Sequence, residues 1–114
     1  MREIEHIPIL KDNIQPLVDI CKRHHVSKLF VFGSASIGTF NEERSDIDLM
    51  VELLPMLPEE KGEHLLALWD ELEALFQRKV DLLTDQPIKN PFLRKDIEQS
   101  KRLIYDEERE EVLV

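Results

Sequence analysis

The chain has 114 residues, 42% of them hydrophobic and 34% charged, and its formal net charge at pH 7 is −9. A chain of this length is expected to form one domain with a modest core, so we treat residues 1–114 as a single domain. The acidic balance argues against a passive nucleic-acid binder, which usually carries a basic surplus, and we expect no direct nucleic-acid binding. Because no apolar run approaches the ~20 residues of a membrane span, we predict a cytoplasmic protein without membrane association.

The chain has a single cysteine, Cys21, which excludes an internal disulfide and fits a reducing compartment. Cys21 falls among apolar positions of the first predicted helix, so we interpret it as a small buried hydrophobe. His24 and His25 follow at the end of that helix. No further His or Cys stands at ligand spacing from them in the sequence, and we therefore predict a surface pair at the helix end rather than a metal site.

The first half of the chain predicts one helix and two strands. Apolar residues recur at three- and four-residue spacings within residues 12–21, a pattern typical of a helix with one buried stripe. Residues 28–32 form a short aromatic and β-branched run that ends at a glycine, which predicts a buried strand. We interpret residues 34–38 as one helical turn and residues 39–44 as a polar loop. Residues 46–53 alternate in the way that predicts a second strand with one apolar face.

The second half predicts two helices and two further strands. Glu59 and Glu60 suit the first turn of a helix, and apolar residues repeat with helical spacing from Leu65 to about residue 77. Trp69 within this run is interpreted as a core or subunit-interface residue. Residues 79–84 predict a third strand, residues 92–101 a short helix, and residues 102–105 a short edge strand. The apolar residues of the short helix are expected to face inward: Phe92, Leu93 and Ile97. The charged tail, residues 106–114, is expected to extend a helix or to fray.

This order of elements defines the expected fold class. Helix, strand, strand, helix, strand, helix and strand follow one another without a repeat or a linker that would divide them. We predict an α/β (α+β) fold with a small mixed β-sheet of three to four strands flanked by helices, because each helix and each strand must bury its apolar side against another element.

Three aspartates stand inside the predicted strands. Asp46 and Asp48 are two residues apart, so the alternation of a strand places both on one face, where they repel each other. Their repulsion should raise at least one pKa unless a cation lies between them, and Mg²⁺ is a cation that takes one or two protein carboxylates. Asp81 is an isolated acid in the apolar third strand. If the second and third strands are neighbours, the three acids share one surface and, together with a bound triphosphate, can hold two Mg²⁺ ions.

Gly33 and Ser34 end the first predicted strand. A glycine allows the backbone to approach a phosphate closely, and a helical turn that begins at Ser34 would direct free N–H groups at it. Each feature alone has a plain interpretation: Asp-x-Asp is commonly a solvated strand face, Gly-Ser is commonly a turn, and Asp81 could pair with Lys79. Their combination in this order predicts a site for metal-dependent phosphoryl transfer.

The motif pair Phe32-Gly33-Ser34 and Ser45-Asp46-Ile47-Asp48-Leu49-Met50-Val51 resembles the signature of the DNA polymerase beta-like nucleotidyltransferase superfamily. The short chain is most similar to the minimal (MNT-type) members, over a motif core of residues 28–105 that excludes the charged tail. The resemblance implies the palm-like nucleotidyltransferase fold, with Gly33 and Ser34 contacting the nucleotide phosphates. It also implies that Asp46, Asp48 and Asp81 are the catalytic, metal-binding acids, that the cofactor is Mg²⁺ (two ions), and that ATP or another NTP is the substrate.

Minimal members act as antitoxins paired with HEPN-type toxins, some by adenylylating the toxin. The resemblance therefore implies transfer of a nucleoside monophosphate, AMP from ATP, to a hydroxyl on a partner protein, with a HEPN-type toxin as partner and a homo-oligomer as a further possibility. Many minimal members carry arginines where this chain has Ala35 and Ile37. Arginine commonly binds phosphate through two parallel hydrogen bonds, and this chain lacks arginine at both positions. The alternative hypothesis is therefore a catalytically weak or inactive binding module that neutralises its partner by contact.

Overall fold

A computed structural model describes residues 12–32, 46–84, 89–108 and 111–112 of the chain. In this part of the chain, three helices and five strands alternate much as the sequence predicts. In chain order they are α1 (Ile14–Arg23), β1 (Val26–Phe32), β2 (Ile47–Leu53), α2 (Pro58–Phe76), β3 (Val80–Thr84), α3 (Pro91–Ser100), β4 (Arg102–Asp106) and β5 (Glu111–Val112). The predicted turn at residues 34–38 and the predicted loop at residues 39–44 lie outside the described residues.

The strands form one mixed sheet in the order β3-β2-β1-β4-β5. The central strand β1 is antiparallel to β2 and to β4, whereas β2 and β3 are parallel. A parallel pair needs a long crossover, and here α2 provides it. The predicted α/β class and its mixed sheet flanked by helices are confirmed, with the two-residue β5 added beside β4.

The main core lies between one face of the sheet and the helices α1 and α2. Alternate residues of the strands point into it, so Leu29, Ile47 and Leu49 have no exposed surface. Leu17 of α1 and Leu68 of α2 meet them from the helical side and are equally buried. Cys21 also belongs to this cluster, as predicted. Burial raises the pKa of its thiol to about 12, so the thiol stays protonated and unreactive at neutral pH.

The opposite face of the sheet carries a smaller apolar cluster beneath α3. Its buried members are Phe32, Met50 and Ile97. The sequence predicted that Phe92 and Leu93 also face inward, and this is wrong because Phe92 is 85% exposed and Leu93 is 41% exposed. A helix turns about 100° per residue, so Phe92 lies roughly 140° around α3 from the buried Ile97, on the solvent side. The face of the sheet beneath α3 also carries the predicted site acids.

Polar side chains connect α1 and α2 at the surface of the main core. The Nδ1 atoms of His24 and His64 are 3.1 Å apart, and His24 Nε2 and Arg23 both contact the Glu71 carboxylate. These two partners, His24 first, lower the pKa of Glu71. The predicted surface position is wrong for His24, whose side chain is only 12% exposed, because α2 covers it from 40 residues away in the sequence.

Two predictions for the C-terminal part are also corrected. Residues 102–106 form the strand β4, but β4 is not at the edge of the sheet, because it lies between β1 and β5 and pairs with both. Residues 111–112, within the tail predicted to fray or to extend a helix, form the short strand β5. Backbone pairing of Tyr105 with Val112 and of Asp106 with Glu111 explains the difference. Among the described helices, none combines the length and the apolar character that crossing a membrane requires.

Candidate active site

The acids of the second and third strands are direct neighbours in the sheet. β2 and β3 run parallel with Asp48 opposite Asp81, and Asp46 immediately precedes β2. Ile47 and Val80 are fully buried on the main-core face, so alternation places Asp48 and Asp81 on the other face. The sequence left open whether the third strand lies beside the second, and the structure shows that it does.

Burial and the neighbouring acids perturb the pKa of Asp48. Its pKa is raised from an ordinary value of 3.8 to about 6. Burial is the largest cause, followed by a hydrogen bond with Asp81 and by the negative charges of Asp81 and Asp46. A hydrogen bond between two carboxyl groups requires a proton on one of them. A bound cation would offset the negative charge of the two carboxylates without such a proton.

The positively charged side chain of Lys79 lies close to two of the acids. Its ammonium nitrogen lies 3.9 Å from Oδ2 of Asp46 and 3.8 Å from Oδ1 of Asp81. The side chain is 65% exposed, so water screens both ion pairs and each contributes little to stability. The predicted plain role of Asp81, a partner for Lys79, is thus present in the structure together with its pairing to Asp48.

A shallow apolar pocket of about 310 Å³ opens beside the two acids. It is lined by Phe32, Asp48, Trp69, Asp81, Leu82, Leu83 and Leu93. Leu93 is placed by the start of α3, where the Asn90 side chain accepts hydrogen bonds from the N–H groups of Phe92 (2.9 Å) and Leu93 (3.2 Å). Apolar walls with a few convergent polar groups are typical of a ligand site.

Sequence reasoning missed two residues that contact the third strand. Trp69 is predicted to lie in the core or at a subunit interface, and its 39% exposure contradicts the core position. Its indole N–H donates to the Val80 carbonyl at 2.7 Å, a contact that the sequence did not indicate. Glu73 accepts a hydrogen bond from the Val80 N–H at 3.0 Å. The available signal was their spacing of four residues on the helix that precedes the acidic strand, which places both on one side of α2.

The acids fit a hard divalent cation. Across the described ranges, no three His, Cys, Asp or Glu side chains form a closed set of metal ligands. Mg²⁺ does not need one, because it usually binds through one or two carboxylates and completes its shell with water and substrate phosphate. Asp48 and Asp81 offer such oxygens. Burial, and then the neighbouring acids, raise the pKa of Asp48, and a bound cation would offset this penalty on the charged carboxylate. Gly33 and Ser34, the predicted phosphate contacts, lie outside the described residues.

Comparison with known proteins identifies the family. The family model described as nucleotidyltransferase domain matches residues 14–104, so the chain belongs to the nucleotidyltransferase family. A Methanocaldococcus jannaschii protein provisionally named protein adenylyltransferase MJ1379 is 38% identical over 101 residues, covering 89% of this chain and 87% of the relative. Within the family, the chain is a minimal, MNT-type nucleotidyltransferase, an enzyme of the adenylyltransferase type.

Solved structures share the fold. A chain in the crystal structure of a toxin–antitoxin complex with AMP-PNP matches with a TM-score of 0.61 and 19% identity, covering 84% of this chain and 76% of the other. A chain in the complex of a tri-AMPylated Shewanella oneidensis HEPN toxin with its MNT antitoxin matches with a TM-score of 0.55 and 15% identity, covering 83% of this chain and 71% of the other. At these identities, the likeness establishes the nucleotidyltransferase fold.

Proposed function

We propose that this protein transfers AMP from ATP to a hydroxyl group of a partner protein in a Mg²⁺-dependent reaction. The observation that carries the proposal is the pairing of Asp48 with Asp81 on adjacent strands, beside an apolar pocket at the sheet edge. The relative named as a protein adenylyltransferase supports AMP as the transferred group and a protein as the acceptor. The MNT antitoxin that shares the fold stands in complex with an AMPylated HEPN toxin, which supports a HEPN-type toxin as the partner.

The side chains of the site suit this reaction. Asp46, Asp48 and Asp81 are the residues that would hold two Mg²⁺ ions, which when bound offset the negative charge of the triphosphate and of the leaving pyrophosphate. Asp81 remains 45% exposed at its side chain, so an incoming hydroxyl can reach it. Its carboxylate accepts the hydroxyl proton as the oxygen bonds to the α-phosphorus. The bond from that phosphorus to the pyrophosphate oxygen breaks, and the products are the adenylylated partner and pyrophosphate.

The remaining contacts belong to the same proposal. Gly33 and Ser34 bind the nucleotide phosphates through backbone N–H groups and the serine hydroxyl. As far as the described residues form it, the pocket beside the acids is shallow. We infer that the surface that presents the acceptor comes from another molecule, either the toxin or a second copy of this chain. A cytoplasmic setting supplies ATP and Mg²⁺ and suits the buried free thiol of Cys21.

The second candidate function is neutralisation by contact alone. Ala35 and Ile37 occupy positions where many minimal members have arginines, and arginine is the strongest bidentate partner of phosphate. In this version the fold presents the same surface to the toxin but transfers nothing. The two candidates differ in one measurable property, which is whether the partner acquires a covalent AMP group.

The deciding experiment mixes the purified protein with α-labelled ATP, Mg²⁺ and the protein encoded by the adjacent gene. Transfer predicts label on that protein, and Asp48→Asn should abolish it. Asp96→Asn is the matched control, because it makes the same chemical change at an exposed residue of α3 and should leave labelling intact. An unlabelled partner, held in a stable complex that survives Asp48→Asn, would contradict transfer and favour neutralisation by contact.

A further inference from the structure

The residue before Asp81 is hydrogen-bonded from outside the sheet. Trp69 donates its indole N–H to the Val80 carbonyl at 2.7 Å, and the Glu73 carboxylate accepts the Val80 N–H at 3.0 Å. On the inner side, the N–H of Ile47 donates to the Lys79 carbonyl at 3.1 Å. The start of β3 is therefore bonded both to its neighbouring strand and to the helix that precedes it.

This arrangement is unusual for an edge strand. β3 ends the sheet, and an edge strand normally leaves its outward N–H and C=O groups to water. Here one turn of α2 satisfies both outward groups of Val80. The helix itself is anchored in the main core by Leu68 and Leu72, which have no exposed surface. The position of β3 along β2 is therefore tied to a rigid element rather than only to the sheet.

The position of β3 matters for the site because strand register decides which side chains meet. Asp81 faces Asp48 only in the present register. A slip of one residue would turn Asp81 to the buried face and bring an apolar neighbour opposite Asp48. Smaller shifts would separate the two carboxylates without unfolding the sheet.

We propose that Trp69 and Glu73 are positioning residues that fix the register of β3 through their hydrogen bonds to Val80, and thereby hold Asp81 opposite Asp48. We call Trp69, Glu73 and Val80 together the register clamp. The clamp acts through Asp81 and does not touch the reacting atoms. Its catalytic consequence rests on the proposed function, whereas its effect on the geometry of the acids does not. Trp69 also lines the pocket beside both acids, so the clamp and the site share a side chain.

The test separates positioning from a merely structural role by conservative variants. Trp69→Phe keeps an aromatic ring but removes the N–H donor, and Glu73→Ala removes the acceptor. Each should lower kcat for AMP transfer about 10- to 100-fold with little change in KM for ATP, because the Asp81 carboxylate that activates the acceptor hydroxyl is then misplaced. Glu73→Gln keeps an acceptor oxygen and should restore kcat to within about twofold. Glu63→Ala, an exposed position on the same helix, is the matched control and should behave as wild type.

Two measurements do not depend on catalysis. Binding of Mn²⁺ to the nucleotide-free protein, followed by the loss of free Mn²⁺ signal in electron paramagnetic resonance, should weaken roughly tenfold in Trp69→Phe and Glu73→Ala. Amide hydrogen exchange should show the Val80 N–H protected in the wild-type protein and faster in Glu73→Ala. The exchange measurement on the wild type needs no variant and applies even if a variant fails to fold.

Several results would overturn the clamp. Variants that lose thermal stability but keep kcat and Mn²⁺ affinity within about twofold would show that the contacts are only structural. A Val80 amide that exchanges as fast as a free edge amide in the wild-type protein would show that the contact with Glu73 is absent in solution. If the wild-type protein transfers no AMP, the proposed function fails, and the Mn²⁺ and exchange measurements still support or reject the clamp by themselves.

Discussion

The paired acids should make the metal-free protein less stable as the pH rises. Asp48 has a pKa of about 6 in the folded protein against an ordinary value of 3.8, so the folded state binds more protons than the unfolded state between these values. Stability therefore decreases as the pH rises from about 4 through about 6, and it is fully recovered only below the ordinary pKa. The substitution Asp48→Asn removes the titrating group while it keeps the size of the side chain.

The magnitude follows from the shift. The difference between about 6 and 3.8 is roughly two pKa units, which corresponds to about 3 kcal/mol at most. Asp48 is half-buried, and solvent screening reduces the figure to about 1 to 2 kcal/mol. The asparagine amide can in addition donate a hydrogen bond to the Asp81 carboxylate. Asp48→Asn should therefore raise the free energy of unfolding by about 1 to 2 kcal/mol above pH 7, or Tm by roughly 4 to 8 °C.

Thermal and urea denaturation of the wild-type protein and the variant, in chelator and in Mg²⁺, measure this effect. In chelator, the stability advantage of Asp48→Asn should disappear near pH 4, where the wild-type carboxyl is protonated in both states. Mg²⁺ should stabilise the wild-type protein above pH 7 more than near pH 5, since the ion competes with the proton. It should have a much smaller effect on the variant. Asp96→Asn serves as the control and should show the wild-type pH dependence.

Two results would refute the reasoning. If Asp48→Asn is no more stable than the wild-type protein above pH 7, neither burial nor the neighbouring carboxylates penalise the charged form of Asp48 in the folded chain. If the two proteins show the same pH dependence between about 4 and 7, Asp48 does not carry the raised pKa that the pairing with Asp81 requires.

Further predictions concern the core, the start of α3 and the thiol. Leu68→Ala should destabilise the protein by about 2 to 5 kcal/mol in urea denaturation, whereas Leu66→Ala at a 70% exposed position of the same helix should stay within about 0.5 kcal/mol. Asn90→Ala removes the side-chain cap of α3 and should cost about 1 kcal/mol in the same assay, and an unchanged stability would show that water replaces the cap. Cys21 should react with a thiol reagent at the rate of global opening, and fast labelling of the native protein would contradict its burial.

Some features of this protein followed from the sequence because they depend on local pattern. Alternation with a period of two predicted the strands around Ile47 and Val80, and the apolar runs around them indicated which faces are buried. The isolated acids in those runs indicated the candidate site, and the motif pair with Gly33 and Ser34 indicated the family. The start of α2 was also predictable to within about a residue: the helix begins at Pro58, and Glu59 and Glu60 stand in its first turn as the helix dipole favours.

The tertiary structure decided the contacts between distant segments. The sequence left open whether Asp81 lies beside Asp48, because strand order depends on how α2 packs across the sheet and not on the strands' own residues. The exposure of Phe92 and the burial of His24 were mispredicted for the same reason, since a helical side chain's environment depends on which face another element covers.

The same distinction applies to the candidate site as a whole. The sequence by itself determined which acids stand in apolar strands, because side chains alternate along any strand. Only the packed structure showed that Asp48 lies opposite Asp81 on the neighbouring strand, and that Trp69 and Glu73 reach over the sheet edge to Val80. Hydrogen bonds and pKa shifts of this kind require atoms within a few ångströms of each other, and that proximity exists only once α2 has packed beside the strand.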